Sequence, residues 1–270
     1  MMNTLSFTPE GGLCWNAGGV QAVFSADADI DEGRGGWRLL SAHISPLSDP
    51  LPDYDTLVTQ TYSRAPEDPS APLLTRETAY NREDPRSFHT RLILSNPPAA
   101  RSALTAQRLF PLCAQGDGPL LSLGDAPYEQ WLFFRSGRHK NDLPSVLCPA
   151  RVDDRYLDGI KGLTESGQEI FSAKEPPLTL VSDELTVIKS PAACLTFSFL
   201  TGQAMLAGLE LTSNPRREGV ERLEAIQYLD GVVLEPGECR VGEWLRADAD
   251  AEPFAAVGSF TRLKKNMDPP

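Results

Sequence analysis

Short runs in which polar and apolar residues alternate, or in which apolar residues follow one another, recur along most of the chain. They include Gly19–Ser25, Trp37–Ile44, Thr56–Ser63, Ser87–Leu94 and Ser102–Leu112. Later runs are Leu178–Lys189, Ala193–Thr201, Met205–Thr212 and Glu221–Leu229. All are rich in Val, Leu, Ile, Phe, Thr and Tyr, and turn formers such as NPP, GDG, SNP and DG separate them. β-Branched and aromatic residues suit a pleated, half-buried surface, so each run predicts a strand. Many strands without interleaved helices predict antiparallel sheets packed face to face. A chain of 270 residues exceeds what a small sandwich of about 100 residues needs. The expected fold is therefore all-β, a large two-sheet antiparallel super-sandwich with six or more strands per sheet. Within it, Phe197 and Phe199 alternate with Thr196 and Ser198, which predicts that the two phenylalanines share one buried face.

Two stretches break the pattern. Ala65–Pro72 reads APEDPSAP, acidic and without an apolar anchor. As a linker it would leave only 64 residues before it, a thin domain, so a loop within one sandwich is expected. Glu252–Met267 has the other period: Phe254, Val257, Phe260, Leu263 and Met267 fall on one face of a helix. Pro253 suits the first helical position and Lys264 and Lys265 the last turn. The division expected is a sandwich over residues 1–248 and a helix or linker over 249–270. The closing Asp268-Pro269-Pro270 is expected to lead into a further domain.

Composition narrows the function. Glycine (21) and proline (23) are frequent, which fits many turns, and the net charge of −12 repels phosphate backbones and anionic lipid. Neither nucleic acid nor membrane is an expected partner. No run reaches the roughly 20 apolar residues of a membrane span, and the first residues carry no secretory pattern. Cys14, Cys113, Cys148, Cys194 and Cys239 are odd in number and widely spaced, which predicts reduced thiols and a cytoplasmic location. His43, His89 and His139 lie far apart in patterns that match no metal motif, and no cofactor motif occurs. No metal or cofactor is expected.

Trp131–Ser145 carries the candidate chemistry. The apolar WLFF runs into Arg135, Ser136, Arg138, His139, Lys140, Asn141 and Asp142. Planar polar groups that satisfy hydroxyls, beside aromatic faces that pack on a ring, are what a neutral sugar requires. Arg and Asn donate, Asp accepts and His does either. Arg138, His139, Asn141 and Asp142 are the expected substrate-binding residues. The alternative is a solvated basic turn.

The second half of the chain resembles the N-terminal domain of glycoside hydrolase family 36, the α-galactosidases and related enzymes. The matching pieces are FRSGRHKNDLPS at Phe134–Ser145, VSDELTVI at Val181–Ile188 and TFSFLTGQ at Thr196–Gln203. The last is LDGVVLEPGECRVGEWL at Leu229–Leu245. The resemblance implies a galactose-mutarotase-like sandwich followed by a (β/α) barrel that carries both catalytic aspartates, so no catalytic residue is expected here. It implies a non-catalytic domain that frames the active site, with an α-galactoside-like carbohydrate as substrate, the C-terminal barrel as partner and a homo-oligomeric assembly. By position, the Arg138–Asp142 turn would reach the barrel, from the edge where the C-terminal helix leaves. A free-standing carbohydrate-binding sandwich is the alternative. A mutarotase-type isomerase is a third reading; it needs a histidine and a carboxylate placed to move protons at the anomeric oxygen, and none of the three histidines lies in a segment that matches such a site, so it ranks last.

Overall fold

The alternation becomes structure strand by strand. The computed structural model describes residues 3–31, 33–47, 54–115, 121–136, 144–151, 171–172, 179–200, 205–250 and 252. Among these, the first half contributes β1 (Thr4–Phe7), β2 (Leu13–Ala17), β3 (Val20–Ile30), β4 (Gly33–Arg34), β5 (Arg38–Pro46), β6 (Thr56–Ser63), β7 (Leu73–Tyr80), β8 (Ser87–Ser95), β9 (Leu104–Gln115) and β10 (Leu121–Leu123). The second half contributes β11 (Leu132–Arg135), β12 (Ser145–Leu147), β13 (Phe171–Ser172), β14 (Thr179–Asp183), β15 (Leu185–Lys189), β16 (Cys194–Phe199), β17 (Leu206–Ser213), β18 (Val220–Leu234), β19 (Cys239–Val241) and β20 (Leu245–Asp250).

The strands form two ten-stranded sheets, and the pairs within each are antiparallel. The first runs β1-β2-β3-β9-β18-β17-β14-β13, with β4 and β10 also on β3. The second runs β12-β11-β15-β16-β20-β8-β7-β6-β5, with β19 on β8. Their inner faces share a core in which Leu13, Trp15, Phe24, Leu209 and Leu223 of the first sheet join Phe88, Phe133, Leu195, Phe197 and Phe199 of the second. Phe197 and Phe199 do share the buried face, and Phe24 meets Phe197 edge-on at 6.1 Å between centroids. This is the all-β sandwich the strand pattern implies. The expected helix over Glu252–Met267 lies, but for Glu252, outside the described residues.

Ala65–Pro72 is a hairpin loop, not a linker: Ser63 pairs with Leu73, so β6 and β7 are neighbours in one sheet. Asp68 organises it by accepting from the Ser70 amide and hydroxyl at 2.9 and 2.6 Å. The single run Leu178–Lys189 is instead two strands in different sheets. Glu184 takes φ +42 and turns the chain from β14 in the first sheet to β15 in the second. The LEPGE piece of the family motif is turn chemistry. Pro236 and Gly237 (φ +88) form a tight turn in which the Glu238 amide donates to the Glu235 carbonyl at 3.0 Å. Asn96 fixes that turn, since its side chain donates to the Leu234 carbonyl and its amide to the Glu238 carbonyl.

One cation crosses the core. Arg76 on β7 is fully buried and donates to Gln60 and to the Gly11 carbonyl in the turn that joins β1 and β2 of the opposite sheet, to which Tyr62 also donates. A guanidinium can satisfy both partners at once through its fixed fork of donors.

Candidate functional site

Strand alternation gives the second sheet an outer face as well as a core face. In the register, Ser198 of β16, Arg246 of β20 and His89 of β8 stand side by side in one row. Thr196, Asp248 and Ser87 form the next. A sheet face that met only water would leave these polar residues exposed. Instead Thr196, Ser198 and His89 are 1%, 0% and 1% exposed.

The chemistry of the two rows is divided. Arg246 holds Asp248 with two parallel bonds of 2.7 Å. By contrast, both ring nitrogens of His89 and the Ser198 hydroxyl oxygen have no hydrogen-bond partner among the described residues. Aromatic rings frame them: Tyr54 meets His89 edge-on at 4.9 Å and Trp244 does so at 6.4 Å. Arg91, paired to Glu77 at 2.7 Å, lies 4.4 Å over the Trp244 ring. Burial, reinforced by the Arg246 charge, pushes the His89 imidazole down to about 3, so it is neutral at pH 7. A neutral imidazole offers one donor and one acceptor, and each hydroxyl offers both. A general base works best with a pKa near the operating pH, which this histidine does not have. With His89, Thr196 and Ser198 buried, the arrangement is not set up for moving protons.

The first sheet has a charged outer face. Glu210 and Glu224 stand directly opposite each other across β17 and β18. Facing carboxylates are the raw material of glycoside hydrolysis, but here arginine engages both. Arg34 binds Glu224 and also Asp27 at 3.0 Å, and Arg222 lies 3.7 Å from Glu210 and 3.8 Å from Glu224. Arg34 also covers the buried Phe110 ring at 4.0 Å. This network neutralises like charges and shields an apolar patch.

Of the sequence-predicted site, Arg138, His139, Asn141 and Asp142 lie outside the described residues. The strand leading to them is described. Trp131 and Phe133 are buried in the core, as expected of an anchor, and Arg135 is buried too, donating to the Val181 carbonyl at 3.2 Å. Ser136 is fixed by bonds to Ser182 and Leu185. Arg135 aligns with Ala247 through Thr186 and Phe197, whereas Leu132 aligns with Asp250 through Lys189 and Cys194. Strand β11 therefore runs toward the end of the sheet where β20 begins. It is the end where Ser198, Arg246 and His89 stand, two strands from β11 to Ser198, or about 10 Å.

Sequence reading passed over His89, Thr196 and Ser198. Thr196 and Ser198 were legible as the face opposite the phenylalanines, but nothing in the chain says that β16, β20 and β8 are neighbours.

The fold and this face define a large antiparallel sandwich with one charged outer face and one buried polar one. Its likeness among solved structures is to family 36 α-galactosidases. A doubly substituted form of AgaA from Geobacillus stearothermophilus, in complex with raffinose, matches at 8% identity and a TM-score of 0.55, over 92% of this chain and 39% of that one. AgaA itself matches at 7% and 0.53 over the same shares. The α-galactosidase from Lactobacillus brevis matches at 8% and 0.53, over 90% of this chain and 31% of that one. The chain thus shares its fold with a portion of these enzymes, as the motifs implied, and spans less than two fifths of their length. No protein-family model matches the chain, and neither does any curated protein. Among the described residues no helix is long and apolar enough to cross a membrane.

Proposed function

We propose that the chain is the non-catalytic N-terminal sandwich of an α-galactosidase-like retaining glycoside hydrolase, framing the active site and assisting assembly. The observation that carries this reading is the fold match: about nine tenths of this chain superposes on under two fifths of each α-galactosidase. The catalytic carboxylates then belong to a following barrel. That agrees with the first sheet, where Glu210 and Glu224 are engaged by arginine, and with the second, where His89 is held neutral. The turn over Arg138, His139, Asn141 and Asp142 contacts the α-galactoside and reaches the barrel from the edge where the C-terminal helix leaves. A cytoplasmic location accords with five free cysteines.

A free-standing carbohydrate-binding sandwich is the second reading. It is favoured by the half-buried rings of Tyr54 and Trp244 on the outer face of the second sheet, which can pack on a sugar. The mutarotase reading is weaker. His89 and Asp248 do share a face, but Arg246 occupies the carboxylate. Sequencing the reading frame downstream of Pro270 separates the first two. An in-frame (β/α) barrel with paired aspartates is expected, and a stop codon directly after Pro270 would favour the free-standing module.

A further inference from the structure

Three of the four sheet ends are closed by short strands. Among the described residues β1, β13 and β12 are four, two and three residues long. The fourth end is β5, nine residues long, and no described strand pairs its outer edge. A long open edge presents a row of unpaired backbone donors and acceptors, which proteins ordinarily blunt with charge, with proline or by shortening the strand. Apart from the exposed Arg38 at its start, β5 contains no Asp, Glu, Lys or Arg, in a chain where such residues make up 23%. The only proline in β5 is its last residue, Pro46.

The faces of β5 add a second observation. Ile44 pairs with Val58 and Ala42 with Gln60, so both stand on the side of the sheet whose neighbours are buried. Yet Ile44 is 56% exposed and Ala42 is exposed too. An edge built this way has open backbone groups and an uncovered apolar row that continues the core.

We propose that β5 is a dimerisation edge, on which a second copy of this chain pairs antiparallel about a two-fold axis through His43. The occupant follows from the strand's own sequence. Ser41-Ala42-His43-Ile44-Ser45 is self-complementary in this register: Ser41 faces Ser45, Ala42 faces Ile44 and His43 faces its symmetry mate. Polar meets polar on one face and apolar meets apolar on the other, which is what an isologous strand pair requires. A net charge of −12 per copy opposes contact elsewhere, whereas this stretch carries no acidic residue. Pairing would extend the second sheet continuously through both copies and bring each Ile44 against its partner's apolar row. The interface is small by the standards of permanent dimers, so it associates reversibly with concentration. The inference rests on the assembly role proposed above and assigns it to one strand; the glycosidase reading itself is tested separately by the downstream reading frame.

The test is sedimentation of the 270-residue chain across a dilution series, for the natural sequence and for His43→Lys and His43→Glu. His43 is exposed, so both variants should keep the strand circular-dichroism spectrum and the thermal midpoint of the parent. The natural chain is expected at twice 29.5 kDa when concentrated and at 29.5 kDa when dilute. Each variant alone places like charges directly opposite and should stay at 29.5 kDa throughout. An equal mixture of the two places Lys opposite Glu and should recover the dimer. A natural chain that remains monomeric at every concentration overturns the proposal and leaves the edge to a strand of another protein. A dimer that survives both substitutions, or a mixture that stays monomeric, overturns the His43-centred pairing.

Discussion

His89 lies between Phe88, which is packed in the core, and Thr90, which points the same way as Phe88, so strand alternation turns its ring to the opposite face. There it meets Tyr54, Trp244 and Arg246, with Asp248 and Arg91 nearby, and no group among the described residues bonds either nitrogen. Its pKa of about 3 lies below the roughly 6.5 of an unfolded histidine. Below pH 6.5 the unfolded chain therefore takes up a proton that the folded chain refuses. The fold keeps full stability from this group above about pH 6.5 and loses it progressively toward pH 3, by an amount on the order of 4 kcal/mol. His89→Phe keeps a ring against Tyr54 and Trp244 and removes the titration. Urea midpoints measured from pH 7 to pH 4 should fall less steeply for the variant than for the parent, and at pH 7 the variant should be at least as stable. Parallel profiles would show that His89 charges without cost, contrary to its burial. At this scale the sequence was half legible. The alternation of Thr196 and Ser198 with two phenylalanines told which residues share a face. It could not tell that the polar face is also buried, because that depends on strands more than a hundred residues apart in the chain.

Strand identity was clearest where a run had one face for water and one for the core. β6 and β8 match their predicted runs almost residue for residue. The error at Leu178–Lys189 has a physical cause: Glu184 adopts a left-handed conformation without a glycine or proline to mark it, so two strands read as one. β20 was hidden differently. Its sequence LRADAD looks like a polar tail, yet it is a central strand, with Leu245, Ala247 and Ala249 in the core and Arg246 neutralising Asp248 on the other side. The β18–β19 turn was legible as a motif because glycine there is obligatory. Gly237 sits at φ +88, and an added Cβ would meet nothing nearer than Pro98 at 3.9 Å, so a substitution strains the backbone without a clash. Gly237→Ala should cost about 1–2 kcal/mol in chemical denaturation. Phe197→Ala, which empties a site in the shared core, should cost about 3–5 kcal/mol. A ranking in which the turn variant is the more damaging would contradict the account of both elements.

For the molecule as a whole, the strands and their punctuation were enough for the class of fold: two antiparallel sheets with one core between them. The order of strands was not available, since neighbours such as β3 and β9 or β8 and β20 are distant in sequence and are brought together only by the core they share. The candidate turn was approachable only through its residue types, and it lies outside the described residues. The central claim is that this sandwich belongs to a glycoside hydrolase but holds none of its catalytic carboxylates. The most direct measurement is release of nitrophenol from a nitrophenyl α-galactoside by the purified 270-residue chain. The account predicts no turnover above the uncatalysed rate, and none lost on replacing Glu210, Glu224 or Asp248 by its amide. Turnover that copurifies with the chain and disappears in one of those three variants would contradict it.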